Sequence, residues 1–423
     1  MTNKLPQGWV ECKMKDVLEF SQGIQVDVNL QQYSKFSDEY IRFLRIVDFT
    51  QKTEPPRYVL NPPTHVIVTD DDISMVRYGA AGFVCTGLNG AIANNLFRII
   101  PKENIFNNRF LYYFLIGDSF QNYIKHKQTG TTMQAISFKI MNEADIVVPP
   151  LNEQKRIVEK IEEEFGKIDE GLEKLKLAQE QIKQYRQSVL KSAFDGKLYK
   201  TTEWRNVAIK DVADVGTGAT PLKSNSKYYG GNIAWVTSGE LNNNFVTTAS
   251  DYITDLAVKE TNVTVYPIHT LLIAMYGEGK TRGKCSELLI EAGTNQAIAA
   301  IQITNEKVNR EYLKKYCLYN YNNIRFQSMG GVQPNLNLTK IKNILFPLPT
   351  LDEQKQIVKE IEKRFEVADE AERVIAENLE KAEQLKQSIL KKAFEGRLVP
   401  QDPTDQPATE LLARIKAERG KNV

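Results

Sequence analysis

The sequence predicts an α+β protein in which two mixed α/β domains are separated by two long helices, packed as an antiparallel coiled coil in a pseudo-two-fold repeat. Three observations support this prediction. A segment of about forty-eight residues occurs twice, with about twenty identical positions. Both copies carry apolar residues at heptad spacing. Each copy follows a segment with short β-type runs between Gly, Asn and Pro turns.

The repeat is most similar at its two ends. It opens with Leu-x-Glu-Gln-x-x-Ile-Val, at residues 151–158 and again at 351–358. It closes with Ser-(Val/Ile)-Leu-Lys-x-Ala-Phe-x-Gly-(Lys/Arg)-Leu, at residues 188–198 and 388–398. No gap separates the opening from the ending in either copy, which indicates one duplicated structural unit.

The helix ends are predicted from single residues. Prolines directly upstream of both copies exclude helix there. Asn152 and Asp352 stand at matching positions and are predicted N-caps. Gly196 and Gly396 are predicted to adopt the left-handed conformation that ends a helix.

One face of each copy is apolar, and the other faces carry mixed charge. A helix packed only on its own domain's core is the alternative, but these helices exceed the ~8–20 residues usual in globular domains. Some forty residues at about 1.5 Å each form a rod of roughly 60 Å. The residues predicted to pair the helices or bind partner subunits are Ile161, Phe165, Ile168, Leu175, Ile182 and Val189 in the first copy, and Ile361, Phe365, Ile375, Leu379 and Ile389 in the second.

The repeat divides the chain into five predicted segments. The two globular segments share landmarks, since Trp9 precedes Gly23 by the same interval that separates Trp204 from Gly218. They otherwise diverge, which favours a shared framework with different surfaces. The predicted boundaries are 1–150 for the first domain, 151–198 for the first helix, 199–350 for the second domain, 351–398 for the second helix and 399–423 for a tail with a short helix.

The composition excludes several classes of protein. A net charge of +2 excludes a strongly basic, histone-like binder, although a locally basic surface is compatible with it. Four scattered cysteines and three histidines predict reduced thiols and no metal site. We found no apolar run of signal-peptide or membrane-spanning type, and we therefore expect a soluble, cytoplasmic protein without a membrane partner.

Two motifs resemble catalytic loops but lack essential residues. Asn61-Pro62-Pro63 is similar to the Asn-Pro-Pro-aromatic loop of amino-methyltransferases, but Thr64 cannot stack on a flipped base. The run 277–281 resembles a phosphate-binding loop, but Ala274 stands where that motif needs glycine. The sequence therefore predicts no catalytic residues and a non-catalytic chain.

The duplicated opening and ending, with tail segments 398–403 and 407–412, resemble the specificity (S) subunits of type I restriction–modification systems over the whole chain. Gln406 departs from this pattern, since an acidic residue is expected there. The resemblance implies two target-recognition domains that bind double-stranded DNA, with two long helices as spacers. It also implies two methyltransferase (M) subunits and two restriction (R) subunits as partners.

The resemblance also implies where the chemistry takes place. The chain is expected to be the non-catalytic subunit of a complex that methylates adenine N6 and cleaves DNA as a type I site-specific deoxyribonuclease. It is expected to hold no cofactor, because S-adenosylmethionine, ATP and Mg belong to the partner subunits. Two alternatives stay open: a target-recognition subunit of a related system with fused methyltransferase and nuclease, and a two-headed protein scaffold.

Because the two domains differ, the predicted target is asymmetric and bipartite. Lys and Arg neutralise phosphates, whereas Asn, Gln, Ser and Thr also bind base edges. In the first domain, further loop cations that could bind phosphate are Arg42, Arg45, Lys52, Arg57, Lys125 and Lys127. The residues predicted to bind DNA are Arg77, Tyr78, Thr131, Thr132, Gln134, Lys223, Ser224, Asn225, Lys227, Tyr228, Lys280, Arg282, Lys284, Gln333 and Asn335.

Overall fold

The computed structural model describes residues 5–51, 54–103, 105–127, 135–276, 281–326 and 336–419. The chain divides into two compact units. Met1–Leu175 and Glu377–Val423 form the first, and Lys176–Ala376 form the second. Each unit therefore holds one globular domain together with one stretch of each long helix.

The first domain is followed directly by the first long helix. Its strands are β1 (Val10–Lys13), β2 (Leu18–Gln22), β3 (Tyr40–Leu44), β4 (Arg57–Leu60), β5 (Ile67–Val68), β6 (Ile73–Val76), β7 (Val84–Cys85), β8 (Gly90–Ile92), β9 (Leu96–Pro101) and β10 (Asp145–Val148). The helices are α1 (Met14–Val17), α2 (Ile46–Thr50), α3 (Asn108–Ile116), α4 (Asp118–Lys127), α5 (Phe138–Glu143) and the long α6 (Leu151–Phe194).

Over the described residues, the second domain follows a similar order, with one additional strand and differently placed short helices. Its strands are β11 (Arg205–Ala208), β12 (Ala213–Thr217), β13 (Tyr229–Val236), β14 (Phe245–Val246), β15 (Asp251–Ile253), β16 (Val265–Tyr266), β17 (Leu271–Ala274), β18 (Cys285–Leu288), β19 (Ala292–Thr294), β20 (Ile298–Ile303) and β21 (Leu345–Leu348). The helices are α7 (Asp255–Glu260), α8 (Arg310–Tyr319), α9 (Tyr321–Phe326), α10 (Leu338–Lys342), the long α11 (Leu351–Phe394) and α12 (Ala408–Arg419).

The two domains share one sheet topology, to which the second domain adds β14 at one edge. The first has sheets ordered β1-β10, β2-β9-β6-β7 and β4-β3-β8-β5, and the second has β11-β21, β12-β20-β17-β18-β14 and β15-β13-β19-β16. In each domain one parallel pair, β3 with β8 or β13 with β19, lies within the third sheet. The strands β6 and β17 are buried along their whole length; β17 is a continuous apolar run, whereas β6 includes the buried Ser74. The predicted shared framework is confirmed.

The ends of the long helices belong to the domain cores. In the first unit, Ile161 of α6 and Ile389 of α11 share one apolar cluster with the first domain. In the second unit, Val189 of α6 and Ile361 of α11 join the core of the second domain. The alternative that the apolar stripe packs on a domain core therefore holds at these ends, alongside helix pairing.

The long helices run antiparallel within each unit, as predicted. In the first unit, Lys386 of α11 bonds Asp169 of α6 at 2.6 Å and lies 5.2 Å from the centroid of the Phe165 ring. The early α6 residue Ile161 meets the late α11 residue Ile389 in the same core. Earlier residues of one helix thus contact later residues of the other.

The second unit repeats the same cluster with the roles of the helices exchanged. Arg186 of α6 donates to Asp369 at 2.5 Å and to Glu372 at 3.0 Å, and its guanidinium lies 4.9 Å from the centroid of the Phe365 ring. Among the predicted pairing residues, the buried ones are Ile161, Val189, Ile361, Ile375 and Ile389, and the partly buried ones are Phe165, Ile168, Leu175, Ile182, Phe365 and Leu379.

The helix starts differ from the prediction. Asn152 and Asp352 lie inside α6 and α11 as the second helical residues, so the predicted N-caps are wrong. At the start of α11, the Thr350 backbone N–H donates to Glu353, and the Glu353 N–H donates to the Thr350 hydroxyl, which forms a capping box. Pro150 directly precedes α6.

The helix ends follow the prediction. Gly196 and Gly396 have φ values of +72° and +66°. The N–H groups of Lys197 and Arg397 return to the carbonyls of Ser192 and Lys392, as in a Schellman motif. The regular helices therefore end at Phe194 and Phe394, just before each glycine turn.

Segments near the two ends of the chain meet in the first unit. Trp9 donates its indole N–H to Glu153 at 3.0 Å, and the Ala408 N–H donates to the Gly8 carbonyl at 2.9 Å. Arg156 bonds Asp405 at 2.7 Å. Leu412 of α12 is 6% exposed and lies in the core of the first domain. The C-terminal helix thus completes a core that begins near the N-terminus.

The duplicated glutamates have opposite titration behaviour. Burial raises the pKa of Glu153, and the Trp9 hydrogen bond opposes this only in part. Burial also opposes ionisation of Glu353, but hydrogen bonds from Thr202 and Thr201 outweigh it and hold its pKa well below the usual range. Identical residues at equivalent positions therefore experience different environments.

Truncating the buried side chain of the C-terminal helix should destabilise the first unit. Leu412→Ala removes apolar contacts from the core, and we expect a loss of about 2–5 kcal/mol in the free energy of unfolding. Chemical denaturation of the full chain measures this loss. Leu385→Ala is the control, because Leu385 is 51% exposed and should change stability by at most about 0.5 kcal/mol. Equal losses in both variants would contradict the packing role of α12.

Candidate nucleic-acid interface

In each domain a tyrosine follows the buried central strand. Tyr78 comes two residues after β6, and Tyr276 comes two residues after β17. The hairpins that follow are equivalent, because Gly82 and Gly283 bond back to the last residue of each strand with φ values of +93° and +85°. Tyr276 is 37% exposed, and Tyr78 is partly exposed. Sequence reasoning identified Tyr78 and missed Tyr276.

A second turn lies beside each tyrosine turn. In the first domain, Gln22 donates its side-chain N–H to the Asn94 carbonyl, in the turn between β8 and β9. In the second domain, Thr217 donates its hydroxyl to the Gln296 carbonyl at 3.4 Å, between β19 and β20. Amide and hydroxyl side chains therefore gather at the same end of each domain.

Two glycines allow these turns to approach the loops that follow β2 and β12. A Cβ atom on Gly23 would lie 2.2 Å from the Ala93 carbonyl oxygen, and one on Gly218 would lie 1.7 Å from the Thr294 carbonyl oxygen. Neither position accepts a side chain, because such contacts are far inside van der Waals distance. The shared Trp-to-Gly landmarks of the sequence thus mark a close approach of two backbone segments.

Ile136 and Leu336, which follow the glycine-containing loops in the sequence, lie at this end of their domains. The Ile136 N–H donates to the Arg77 carbonyl at 2.8 Å, and the Leu336 N–H donates to the Met275 carbonyl at 3.3 Å. The predicted residues of these loops, and the lysine of the β17–β18 hairpin, fall outside the described residues: Thr131, Thr132, Gln134, Lys280, Gln333 and Asn335. Their roles remain predictions.

Arg77 supports the loops around it. Its guanidinium donates to the Ile136 carbonyl at 3.2 Å and to the Gln22 side-chain oxygen at 2.9 Å. It also lies 5.9 Å from the centroid of the Phe138 ring. Two of its donors are therefore held within the domain, where they tie three segments together. The equivalent position in the second domain is Met275, which has no such donors.

The predicted DNA-binding loop 223–228 of the second domain contains residues that support the loop and residues that are exposed. The Asn225 side chain accepts from the Lys227 N–H at 3.2 Å, and the Tyr228 hydroxyl donates to Glu260 at 3.0 Å. These two residues shape the loop. Lys223, Ser224 and Lys227 have exposed side chains and remain the groups available to a ligand.

The other predicted cations of the second domain lie in the β17–β18 hairpin. Lys284 donates to the Asn242 side-chain oxygen at 2.9 Å. Arg282 is partly buried. The exposed loop lysines Lys223 and Lys227 are consequently the better candidates for phosphate contacts in this domain.

Several cations of the first domain are neutralised locally. Asp48 is 5% exposed and accepts from Arg42 at 3.2 Å and from the Arg45 guanidinium at 3.1 Å. The Arg57 guanidinium donates to Gln31 and lies 5.2 Å from the centroid of the Tyr33 ring. The buried Asp48 reduces what Arg42 and Arg45 can offer to phosphate. Lys125 and Lys127 are exposed on α4, and Lys52 lies outside the described residues.

The part of the chain that the structure describes contains no group of three or more His, Cys, Asp or Glu residues placed to hold a metal ion. Cys85, Cys285 and Cys317 are buried, and burial raises the pKa of Cys85 to about 12. Over the same residues, no helix combines the length and the apolar character needed to span a membrane.

The chain has two duplicated long helices and two domains of one fold, with different polar side chains at equivalent turns. This organisation is that of a protein with two recognition domains. The family model of the type I restriction modification DNA specificity domain matches residues 6–180 and 201–381. The chain therefore belongs to this family. It is a specificity subunit of a type I restriction–modification system, with two target-recognition domains.

Individual relatives agree with the family match. The chain is 25% identical to the EcoKI specificity subunit of Escherichia coli (strain K12), over 98% of this chain and 96% of that protein. The HsdS subunit from Thermoanaerobacter tengcongensis matches 94% of this chain and 99% of its own, with a TM-score of 0.51 and 20% identity. A structure describing complex assembly and conformational transition of the type I R-M system matches 93% of this chain and 99% of its own, with a TM-score of 0.71 and 20% identity.

Removing the exposed lysines should weaken DNA binding without changing the base preference. For Lys223→Ala and Lys227→Ala, we expect the slope of log affinity against log salt to become shallower by about 1 for each phosphate that is no longer neutralised. Titrating the assembled complex with DNA at several salt concentrations measures this slope. Lys210→Ala is the control, because exposed Lys210 precedes the start of β12, whereas the interface lies beyond its end. An unchanged slope in both lysine variants would remove them from the interface.

Proposed function

We propose that this specificity subunit reads an asymmetric, bipartite DNA target for a complex that methylates adenine N6 on both strands and, with restriction subunits, cleaves DNA. The main support is that one framework places different groups at equivalent turns. Gln22 corresponds to Thr217, and Arg77 corresponds to Met275. Because base edges are distinguished by donor and acceptor patterns, different side chains read different half-sites.

In this proposal the long helices set the separation of the half-sites. Both α6 and α11 contain 44 residues. A helix changes length by about 1.5 Å per residue, and duplex DNA returns the same groove face about every 34 Å. Helix length therefore controls which spacer brings both half-sites into register.

The proposed partners include two methyltransferase subunits, and the repeat supports a binding face for each. Many exposed positions of α6 and α11 differ, for example Lys183 and Glu383. An exposed stripe at spacing i, i+4, i+7 is nevertheless identical in both helices. Its members are Gln184, Ser188 and Lys191 in α6, and Gln384, Ser388 and Lys391 in α11. Since exposed positions are not constrained by a core, a partner present in two copies explains the identity.

In the first unit this stripe lines a cavity. The cavity has a volume of about 910 Å³ and lies between α11 and the first domain. Its other walls include acidic residues, which favour a partner segment that carries Lys, Arg or amide side chains. The acidic residues are Glu11, Asp118, Asp145, Glu383 and Glu395.

The proposed complex divides the chemistry among its subunits. S-adenosylmethionine would be held by the methyltransferase subunits, and ATP and Mg by the two restriction subunits, in the cytoplasm. A system with fused methyltransferase and nuclease is the second candidate, favoured by no particular residue of this chain. The co-purifying subunits distinguish the two, because separate polypeptides exclude the fused form.

Lengthening both helices should lengthen the spacer alone. We would insert one heptad after Leu175 in α6 and one before Glu377 in α11. Seven residues add about 10.5 Å, which corresponds to about 3 base pairs at about 3.4 Å each. Sequencing of methylated adenines in cells gives the result. Inserting a heptad into one helix only should abolish methylation, and altered half-site bases would refute the spacer role.

Blocking one stripe should remove one methyltransferase subunit. Ser188→Arg or Ser388→Arg places a bulky cation in the stripe, and we expect complexes with one methyltransferase copy instead of two. The double variant should bind none. Native mass spectrometry of the purified complex counts the copies. Gln181→Arg is the control, since this exposed position carries Lys381 in the other helix. Two copies retained in Ser188→Arg would disprove docking at this stripe.

A further inference from the structure

We propose that each domain carries one side-chain couple that reads an adenine in the major groove: Gln25 with Asn94 in the first domain, and Thr220 with Gln296 in the second. This inference rests on the proposed DNA-reading function and names the base that part of each interface selects. None of these four residues stood among the candidates from sequence. They are brought together by the fold, since Gln25 and Asn94 are 69 positions apart.

The first couple is held in place on both sides. The Asn94 side chain donates to the Gln25 side-chain oxygen at 3.2 Å. The Asn94 carbonyl accepts from Gln22, and Ile24 pairs with Ala93 in an isolated bridge. Gln25 is exposed and Asn94 is partly exposed. The backbone is thus fixed while the outer polar atoms remain accessible.

This couple presents amide N–H donors and one free amide oxygen to a ligand. After the mutual hydrogen bond, the Gln25 amide keeps both of its N–H donors, and the Asn94 amide keeps its oxygen and one N–H. Rotating both amides exchanges the two roles, but N–H donors and one free oxygen are again left over. Adenine presents an N7 acceptor and an N6 donor in the major groove, whereas guanine presents two acceptors. The couple therefore matches adenine and leaves its acceptor unpaired against guanine.

The second couple reaches the same pattern with different residues. The Thr220 hydroxyl donates to the Gln296 side-chain oxygen at 2.5 Å. The Gln296 amide N–H groups remain as donors, and the Thr220 oxygen remains as an acceptor. The close approach of Gly218 to Thr294 fixes the loop that carries Thr220. Equivalent turns of the two domains thus carry the same donor–acceptor pattern.

Pre-organisation makes these couples suited to base reading. A free Gln side chain loses rotamer entropy when it is ordered on a base. In each couple the internal hydrogen bond has already restricted the side chains, so less entropy is lost on binding. The couples are uncharged, so they contribute to base selection and not to salt-dependent affinity.

The first test maps methylated adenines for the complete complex of this chain with its co-expressed methyltransferase subunits. Asn94→Ala should relax the preference at one A·T position of one half-site by about 10-fold and leave the other half-site unchanged. Gln296→Ala should do the same in the other half-site. Gln181→Ala, at an exposed amide on α6 outside the stripe, is the control and should leave the target intact.

A conservative variant separates base reading from a structural role. Asn94→Asp keeps the size of the side chain and replaces its donor by an acceptor. Gln25 then donates to the new carboxylate, and the couple presents two acceptors. The preference at that position should shift towards cytosine, whose N4 group is a donor. A merely structural role predicts no such change of base, and an unchanged target would overturn the proposal.

A measurement on the wild-type complex tests the proposal without any variant, so it remains valid if the variants fail to fold. Replacing the target adenine by 7-deazaadenine removes the N7 acceptor and should weaken binding about 10-fold at the position read by each couple. No weakening at any adenine of the target overturns the proposal. If the wild-type complex instead methylates no discrete bipartite target, the proposed function itself fails, which is a different result.

Discussion

The burial of one apolar stripe on each long helix is the constraint on which the structure depends. Ile161 and Ile389 enter the core of the first unit, and Val189 and Ile361 enter the core of the second. Truncating such a residue costs about 2–5 kcal/mol. The ion pair of Lys386 with Asp169 contributes about 0–1 kcal/mol, since its carboxylate side chain is 58% exposed. Apolar burial therefore contributes more than the ion pairs to holding the helices together.

The two repeats have the same fold, but residues at equivalent positions have different surroundings. Glu153 and Glu353 occupy the same position in the two repeats, yet the pKa of the first is raised and that of the second is lowered. The difference follows from their partners, which are Trp9 in one case and the residues Thr201 and Thr202 in the other. The same divergence of partners, on a shared framework, allows two domains of one fold to recognise different half-sites.

The candidate DNA interface depends on two glycines of this shared framework. Gly23 and Gly218 hold the backbone of two loops against the neighbouring turns, because no side chain fits at either position. The side chains around these points are then free to vary between the domains. Two N–H donors of Arg77 bond groups of its own domain, whereas the side chains of Gln25 and Gln296 are exposed to solvent. Support and recognition are thus carried by different residues of the same turns.

Local signals in the sequence determined the duplication, the long helices, their glycine ends at Gly196 and Gly396, and the two domains that share one framework, because these depend on periodicity and backbone conformation. Only the tertiary structure decided which polar groups meet. Arg77 bonds Gln22 across 55 positions, and Asn94 bonds Gln25 across 69 positions. Such pairings arise when strands from distant parts of the chain are placed side by side, and no local pattern encodes them.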